Sequence, residues 1–170
     1  PQLTLDVHFV DSEQAHEQVL AGELELAFLT LPPVCDDRLN YVTIWNDPLV
    51  FVTSPFHPLA QQTELSLENL IAYPSLLPAS HTYTSQITLA EFEKKGLKPK
   101  ITMSNNPLES IRMLVSIGLG WSVLPKTLLN QDLKQLDLNL DMQRQLGMVW
   151  HPARIQSKAA QELINMMLFV

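Results

Sequence analysis

A single cysteine, Cys35, stands in 170 residues, so no internal disulfide and no cysteine-rich zinc site can form. Such a chain suits a reducing cytoplasm, and a lone thiol is more often a bystander than a nucleophile. Positive charge is also thin. Eleven Lys and Arg are set against eighteen Asp and Glu, for a formal net charge of −7, and no basic run exceeds the pair Lys94, Lys95. This lacks the electrostatic footprint of a nucleic-acid surface, so any DNA contact must come from outside these residues. No apolar run reaches about 18 residues and no export leader is visible, which predicts a cytoplasmic chain with no membrane partner.

Catalytic signatures are missing as well. The GLG at 118–120 follows a helix pattern instead of preceding one, and Val123 stands where a dinucleotide fingerprint needs its third glycine. There is no GxSxG, no HExxH and no phosphate-binding glycine loop ending in Gly-Lys. The five histidines, His8, His16, His57, His81 and His151, include no pair three or four apart, so a metal site has little support. Asp36 and Asp37 follow Cys35 in what reads as a solvated turn. No enzyme, cofactor or metal is expected, although groups distant in sequence can still meet in a fold.

What is present is a 46% hydrophobic chain, enough for one domain or two small lobes with real cores. The most informative stretch is Asn105 to Pro125. Asn106 can cap a helix, Pro107 suits its first turn, and the Glu109 carboxylate can reach back to the cap. Leu108, Ile111, Val115 and Gly118 fall on one helical face, Gly118 or Gly120 can take the left-handed stop, and Trp121 to Leu124 reads as a buried strand ended by Pro125.

Elsewhere, Leu3, Leu5, Val7 and Phe9 alternate as a first strand. Asp11 or Ser12 can cap a helix carrying Ala15, Val19 and Leu20 that ends at Gly22, and Leu24, Leu26 and Phe28 alternate as a second strand. Strand, helix and strand at this spacing suit a right-handed parallel crossover. Val42 to Trp45 reads as a short strand and Leu49 to Thr53 as one buried on both faces. A short helix near Leu67 to Leu70 follows Ser66, then a strand at 75–77, a helix from Thr84 to Lys95 stopped at Gly96, and a strand from Lys100 to Met103. Leu136, Leu138 and Leu140 alternate as an edge strand, Leu146 to Trp150 is apolar, and a last helix from Ser157 carries Ala160, Leu163, Ile164, Met167 and Leu168 on one face. Trp121 and Trp150 read as core, and Met113, Met142, Met148, Met166 and Met167 as packing residues.

The strands at 49–53 and 146–150 bracket the middle of the chain. That pattern predicts one lobe from residues 1–52 and 147–170 and a second from 53–146. Open α/β sheets offer ligands the turns at the carboxyl ends of their strands. Four such turns are candidates: Asp11 and Ser12; Thr30; Ser80, His81 and Thr82; and Ser104, Asn105 and Asn106. Helix capping alone could account for the polar side chains of the three turns that open helices, and His81 is equally well an exposed loop histidine. Asp11 either points away from an anionic ligand or meets a donor such as an ammonium. No Lys or Arg lies in any of these turns, so neutral donors at helix N-termini would hold a small carboxylate or amino-acid-like metabolite.

ESIRMLVSIGLGWSVLP at 109–125 resembles the signature helix of the effector-binding domain of LysR-type transcriptional regulators. GELELAF at 22–28, NDPLVFVTSPFHPLA at 46–60 and LAEFEKKGLKP at 89–99 are similar to other segments of that family, in the same order. The resemblance implies a two-lobed α/β fold of the type II periplasmic-binding-protein kind. Each lobe would be a mostly parallel sheet flanked by helices, two crossover strands would join the lobes, and a small-molecule effector would lie between them, facing the four turns. It also implies a homodimer or tetramer, and DNA contact only through an N-terminal helix-turn-helix absent from this chain. The first strand and helix of the first lobe are expected to be missing too. A solute-binding protein of a transporter is the alternative with the same fold, and an enzyme on that fold a more distant one.

Overall fold

The structure is a computed structural model and describes residues 6–104 and 107–168. The chain forms two compact units, one from Pro1–Asn46 with Gln145–Val170 and one from Asp47–Arg144. In the first, α1 (Ser12–Ala21) leads to β1 (Leu26–Thr30), which pairs antiparallel with β7 (Met142–Trp150), and β7 neighbours the start of β2 (Asn40–Thr53). In the second, the rest of β2 pairs antiparallel with β5 (Trp121–Pro125) and β6 (Lys134–Leu136). β3 (Pro74–Leu77) runs parallel to both β5 and β4 (Lys100–Ser104).

Side-chain alternation gives each unit two buried faces. In the first, Ala27, Leu29 and Val149 meet Ala15 and Val19 of α1. On the opposite face Leu26, Met148 and Trp150 meet Ile164 and Met167 of α5 (Lys158–Leu168). Ser157 opens α5, its hydroxyl accepting from the Ala160 N–H at 3.2 Å, while its own N–H and hydroxyl donate to the Glu25 carboxylate at 2.6 and 2.9 Å.

In the second unit, Leu49, Phe51, Leu77, Trp121 and Val123 form one core with Leu67 and Leu70 of α2 (Leu67–Leu70) and Phe92 of α3 (Tyr83–Glu93). Val52, Leu76 and Leu124 point the other way, onto Ile111 and Val115 of α4 (Leu108–Ser116). The strand at 49–53 is therefore covered on both faces, as its unbroken apolar run requires.

Gly118, at φ +89°, stops α4 as expected. Its N–H donates to the Val115 carbonyl at 2.9 Å and that of Leu119 to the Leu114 carbonyl at 3.4 Å, the paired bonds of a Schellman ending. Gly120 serves another purpose: a Cβ there would run into the Pro74 carbonyl oxygen, so only glycine lets β5 enter beside β3.

Several expectations need correction. Residues 3–5 lie outside the described residues, and 6–10 are not strand; Phe9 is exposed. Alternation makes a strand only where a ladder partner exists, and none is paired there. In β1 the inward residues toward α1 are Ala27 and Leu29, while Phe28 is 50% exposed, because the strand begins two residues later than expected and has apolar neighbours on both faces. The segments 42–45 and 49–53 are one strand, since Asp47, which breaks the apolar pattern, is paired to Arg144.

At α4, Pro107 occupies the cap position and Glu109 pairs with Arg112 at 2.7 Å in place of the cap; Asn106 lies outside the described residues. Leu138 and Leu140 pack on the core from beyond β6, where Asn139 at φ +51° turns the chain out of strand geometry. Met113 and Met166 stand exposed on the outer faces of their helices; Met142 and Met148 are core.

Ser122 is fully buried on the face of β5 opposite Trp121, and its hydroxyl finds no hydrogen-bond partner among the described residues. An unsatisfied buried hydroxyl costs about 1–3 kcal/mol. Ser122→Ala is therefore expected to raise unfolding stability by about 1 kcal/mol, seen in urea melts as a higher midpoint at unchanged slope. A lower midpoint would mean that the hydroxyl is paired in solution.

Candidate functional site

In the second unit, the parallel register pairs Leu77 with Ser104, so the ends of β3 and β4 lie side by side at one sheet edge. Pro78 to Thr82 leaves β3 there and leads into α3. Thr82 caps that helix: its hydroxyl donates to the Ala79 carbonyl at 2.8 Å and accepts the Ser85 N–H at 3.3 Å. Ser85 fastens the same turn by donating to the Pro78 carbonyl at 2.7 Å. Thr82 is buried and its hydroxyl is engaged in the cap, whereas Ser80 and His81 are exposed at the tip of the turn, and the His81 carbonyl accepts from the Gln86 amide at 2.8 Å. Ser104 is exposed at the end of β4. Asn105 and Asn106, expected beside it, lie outside the described residues.

In the first unit, Asp11 is the backbone cap of α1 and Ser12 its first residue. The Ser12 hydroxyl accepts the Thr30 N–H at 3.1 Å. Two residues singled out separately in the sequence are thus joined at one sheet edge. Thr30 is 7% exposed, whereas Asp11 is open to solvent. Each unit therefore gathers small hydroxyls and a helix N-terminus at the end of a strand, with no Lys or Arg among them, an arrangement suited to a small polar ligand.

The loop after β1 is fixed by a separate cluster. Tyr41 Oη lies 2.7 Å from His16 Nε2 and accepts the Asp36 N–H at 3.1 Å. Burial lowers the His16 pKa and so favours the neutral ring. Hydrogen bonds from the Arg38 side chain and backbone hold the Asp36 carboxyl far below the usual range. Asp36 is accordingly a turn-forming residue here. Nothing in the sequence pattern marked its partnership with Tyr41 and His16, which are contributed by two other elements.

These features define an α/β protein that gathers small polar groups at strand ends and helix N-termini. The family model described as LysR substrate binding domain matches residues 1–168, and the chain belongs to that family. It is 32% identical over 146 residues to the HTH-type transcriptional regulator CysB of Haemophilus influenzae, covering 81% of this chain and 43% of the relative. It is 25% identical over 151 residues to the regulator AlsR of Bacillus subtilis, covering 83% of the chain and 50% of the relative. The chain thus spans about half the length of the curated relatives it matches.

Among solved structures, the CcmR regulatory domain of Synechocystis PCC6803 in complex with 2-PG superposes with a TM-score of 0.79 at 21% identity. That match covers 94% of this chain and 79% of the other. The effector binding domain of QuiR in complex with shikimate gives 0.82 at 18% identity, covering 94% and 78%. The fold is the periplasmic-binding-protein-like fold of LysR effector-binding domains.

Proposed function

We propose that this chain is the effector-sensing part of a LysR-type transcriptional regulator acting in the cytoplasm, and that it is not itself an enzyme. The family match across residues 1–168 carries the reading. Relatives about twice as long, named as helix-turn-helix regulators, support a separate DNA-binding domain through which effector occupancy is read out. A transporter's solute-binding protein is disfavoured because the relatives described above are regulators by name. Among the described residues no helix is long and apolar enough to cross a membrane.

The groups we assign to effector contact are Asp11, Ser12 and Thr30 in one unit and Ser80, His81, Thr82, Ser104, Asn105 and Asn106 in the other. Of these, Ser80 and Ser104 are the exposed hydroxyls at the shared edge of β3 and β4. The effector class is a small carboxylate or amino-acid-like metabolite, since the assigned groups are mostly neutral donors and helix N-termini. The chain is further proposed to form a homodimer or tetramer. Met113 on α4 and Ile117 at its C-cap, 57% and 68% exposed, offer an apolar patch that a second copy would cover.

A thermal-shift screen of small carboxylates and amino acids tests the reading, because a ligand confined to the folded form raises stability in proportion to ln(1 + [L]/Kd). For the best hit, Ser80→Ala is expected to weaken binding roughly 2- to 13-fold, the equivalent of about 0.5–1.5 kcal/mol for one hydrogen bond, at unchanged melting temperature without ligand. Unaltered affinity in calorimetry, with chemical shifts moving elsewhere, would dismiss this site assignment while leaving the family intact.

A further inference from the structure

A concavity of about 430 Å³ lies wholly within the second unit, away from the turns assigned to the effector. Pro55 and Phe56 from the turn after β2, Ser116 from the last turn of α4, and Gln131 and Asp132 from the turn before Leu133 line it. Its volume is within the range of small-molecule sites, about 300–1,000 Å³. Phe56 is 93% exposed, an aromatic ring left open to solvent.

The hydrogen-bond inventory of the lining is one-sided. Ser116 has one hydroxyl proton and donates it to the Met113 carbonyl at 2.7 Å, so only its lone pairs remain for a ligand. The Asp132 carboxylate accepts from the Asn130 amide at 3.0 Å and keeps further lone pairs, while its own N–H is bonded to the Asn130 side chain at 3.1 Å. Gln131 can either donate or accept. No Lys or Arg lines the space. Ser116 also ends α4, where the helix dipole is negative. A carboxylate, a spent hydroxyl, a helix C-terminus and an open aromatic face all favour a positively charged donor, and Pro55 with Phe56 favours an apolar body attached to it.

We propose that this pocket is a second ligand site that takes a small organic cation, an alkylammonium or alkylguanidinium. The ammonium or guanidinium head sits at the Asp132 carboxylate and Ser116 Oγ, and the alkyl chain lies along Pro55 and the Phe56 ring. None of the five residues belongs to the effector assignment, so the two proposals stand or fall separately.

The test is a ¹H–¹⁵N NMR titration of the 170-residue chain with n-butylguanidinium and n-butylammonium chloride, with n-butanol and sodium butyrate as neutral and anionic controls. Saturable shifts are expected at the Phe56, Ser116, Gln131 and Asp132 amides with both cations and not with butyrate. Asp132→Asn and Phe56→Ala each remove one exposed partner, and each should raise the cation dissociation constant about two- to five-fold. Both side chains are solvent-facing, so the variants are expected to keep the wild-type spectrum away from the pocket. The proposal is overturned if n-butanol binds as well as the cations, if Asp132→Asn leaves the cation affinity unchanged, or if the cations shift only residues around Thr30 or Ser80.

Discussion

Trp121→Ala is expected to lower the unfolding free energy by about 3–5 kcal/mol, a large part of the roughly 5–15 kcal/mol that holds a domain of ordinary stability together. Trp121 is fully buried in β5, stacked on Phe92 with ring centroids 5.5 Å apart and tilted against Phe51 at 5.8 Å. Truncation opens a cavity between β5, β2 and α3. It also removes the indole N–H bond of 2.9 Å to the Leu70 carbonyl at the end of α2, which keeps only its bond from the Tyr73 N–H at 3.0 Å. Trp121→Phe separates the two losses: the ring contacts survive in part, the hydrogen bond does not, and a smaller loss is expected. Urea unfolding followed by far-UV circular dichroism measures both. A loss under about 1 kcal/mol for the alanine variant would show that the core collapses around the site and that the ring cluster contributes little.

Trp121 was legible as core from sequence because the run WSVL sits between a glycine stop and a proline, leaving little room for any reading but a buried strand. The α4 stop, read as Gly118 or Gly120, and the α1 stop at Gly22 were legible for the same reason: each is fixed by residues within five positions of one another. What sequence alone mistook was set by distant partners. Phe28 and Leu26 carry the apolar letters of an inward face, yet the phase of β1 is decided by α1 on one side and α5, more than 120 residues later, on the other. Asp47 reads as an interruption between two strands because its cation is 97 residues away.

The candidate site divides in the same way. That Ser12 and Thr30 start a helix and end a strand could be read locally; that one accepts a hydrogen bond from the other could not. At Thr82 the capping alternative is realised: its hydroxyl donates to the Ala79 carbonyl and accepts the Ser85 N–H, which leaves one lone pair for a ligand. Phe56 and Ser116 lie in segments that carry the family resemblance, Gln131 and Asp132 in neither, and only the fold assembles the four into a pocket.

The Asp47–Arg144 pair gives the other large expected effect. β2 and β7 are the strands that pass from one unit to the other, and the unit boundaries fall at Asn46–Asp47 and Arg144–Gln145. At that point Arg144 Nε and Nη2 both donate to Asp47 Oδ2 at 2.8 Å, with the side chains only 15% and 6% exposed. Removing one member of so enclosed a pair leaves the other charge without compensation, which typically costs about 3–5 kcal/mol, whereas replacing both by apolar groups is often neutral. Asp47→Leu is therefore expected to be strongly destabilising, and Arg144→Met alone nearly as much.

The double variant Asp47→Leu/Arg144→Met is expected to recover most of the loss, giving a large favourable coupling in the double-mutant cycle. Equilibrium urea melts of the four proteins supply the cycle. Additive losses would mean that water reaches the pair in solution and that the two strands are held in register by their backbone ladder alone. Recovery would show that the break in the apolar pattern at Asp47 is tolerated because a cation on the neighbouring strand answers it. The same polar contact then fixes the register of β2 against β7 where the chain leaves one unit for the other.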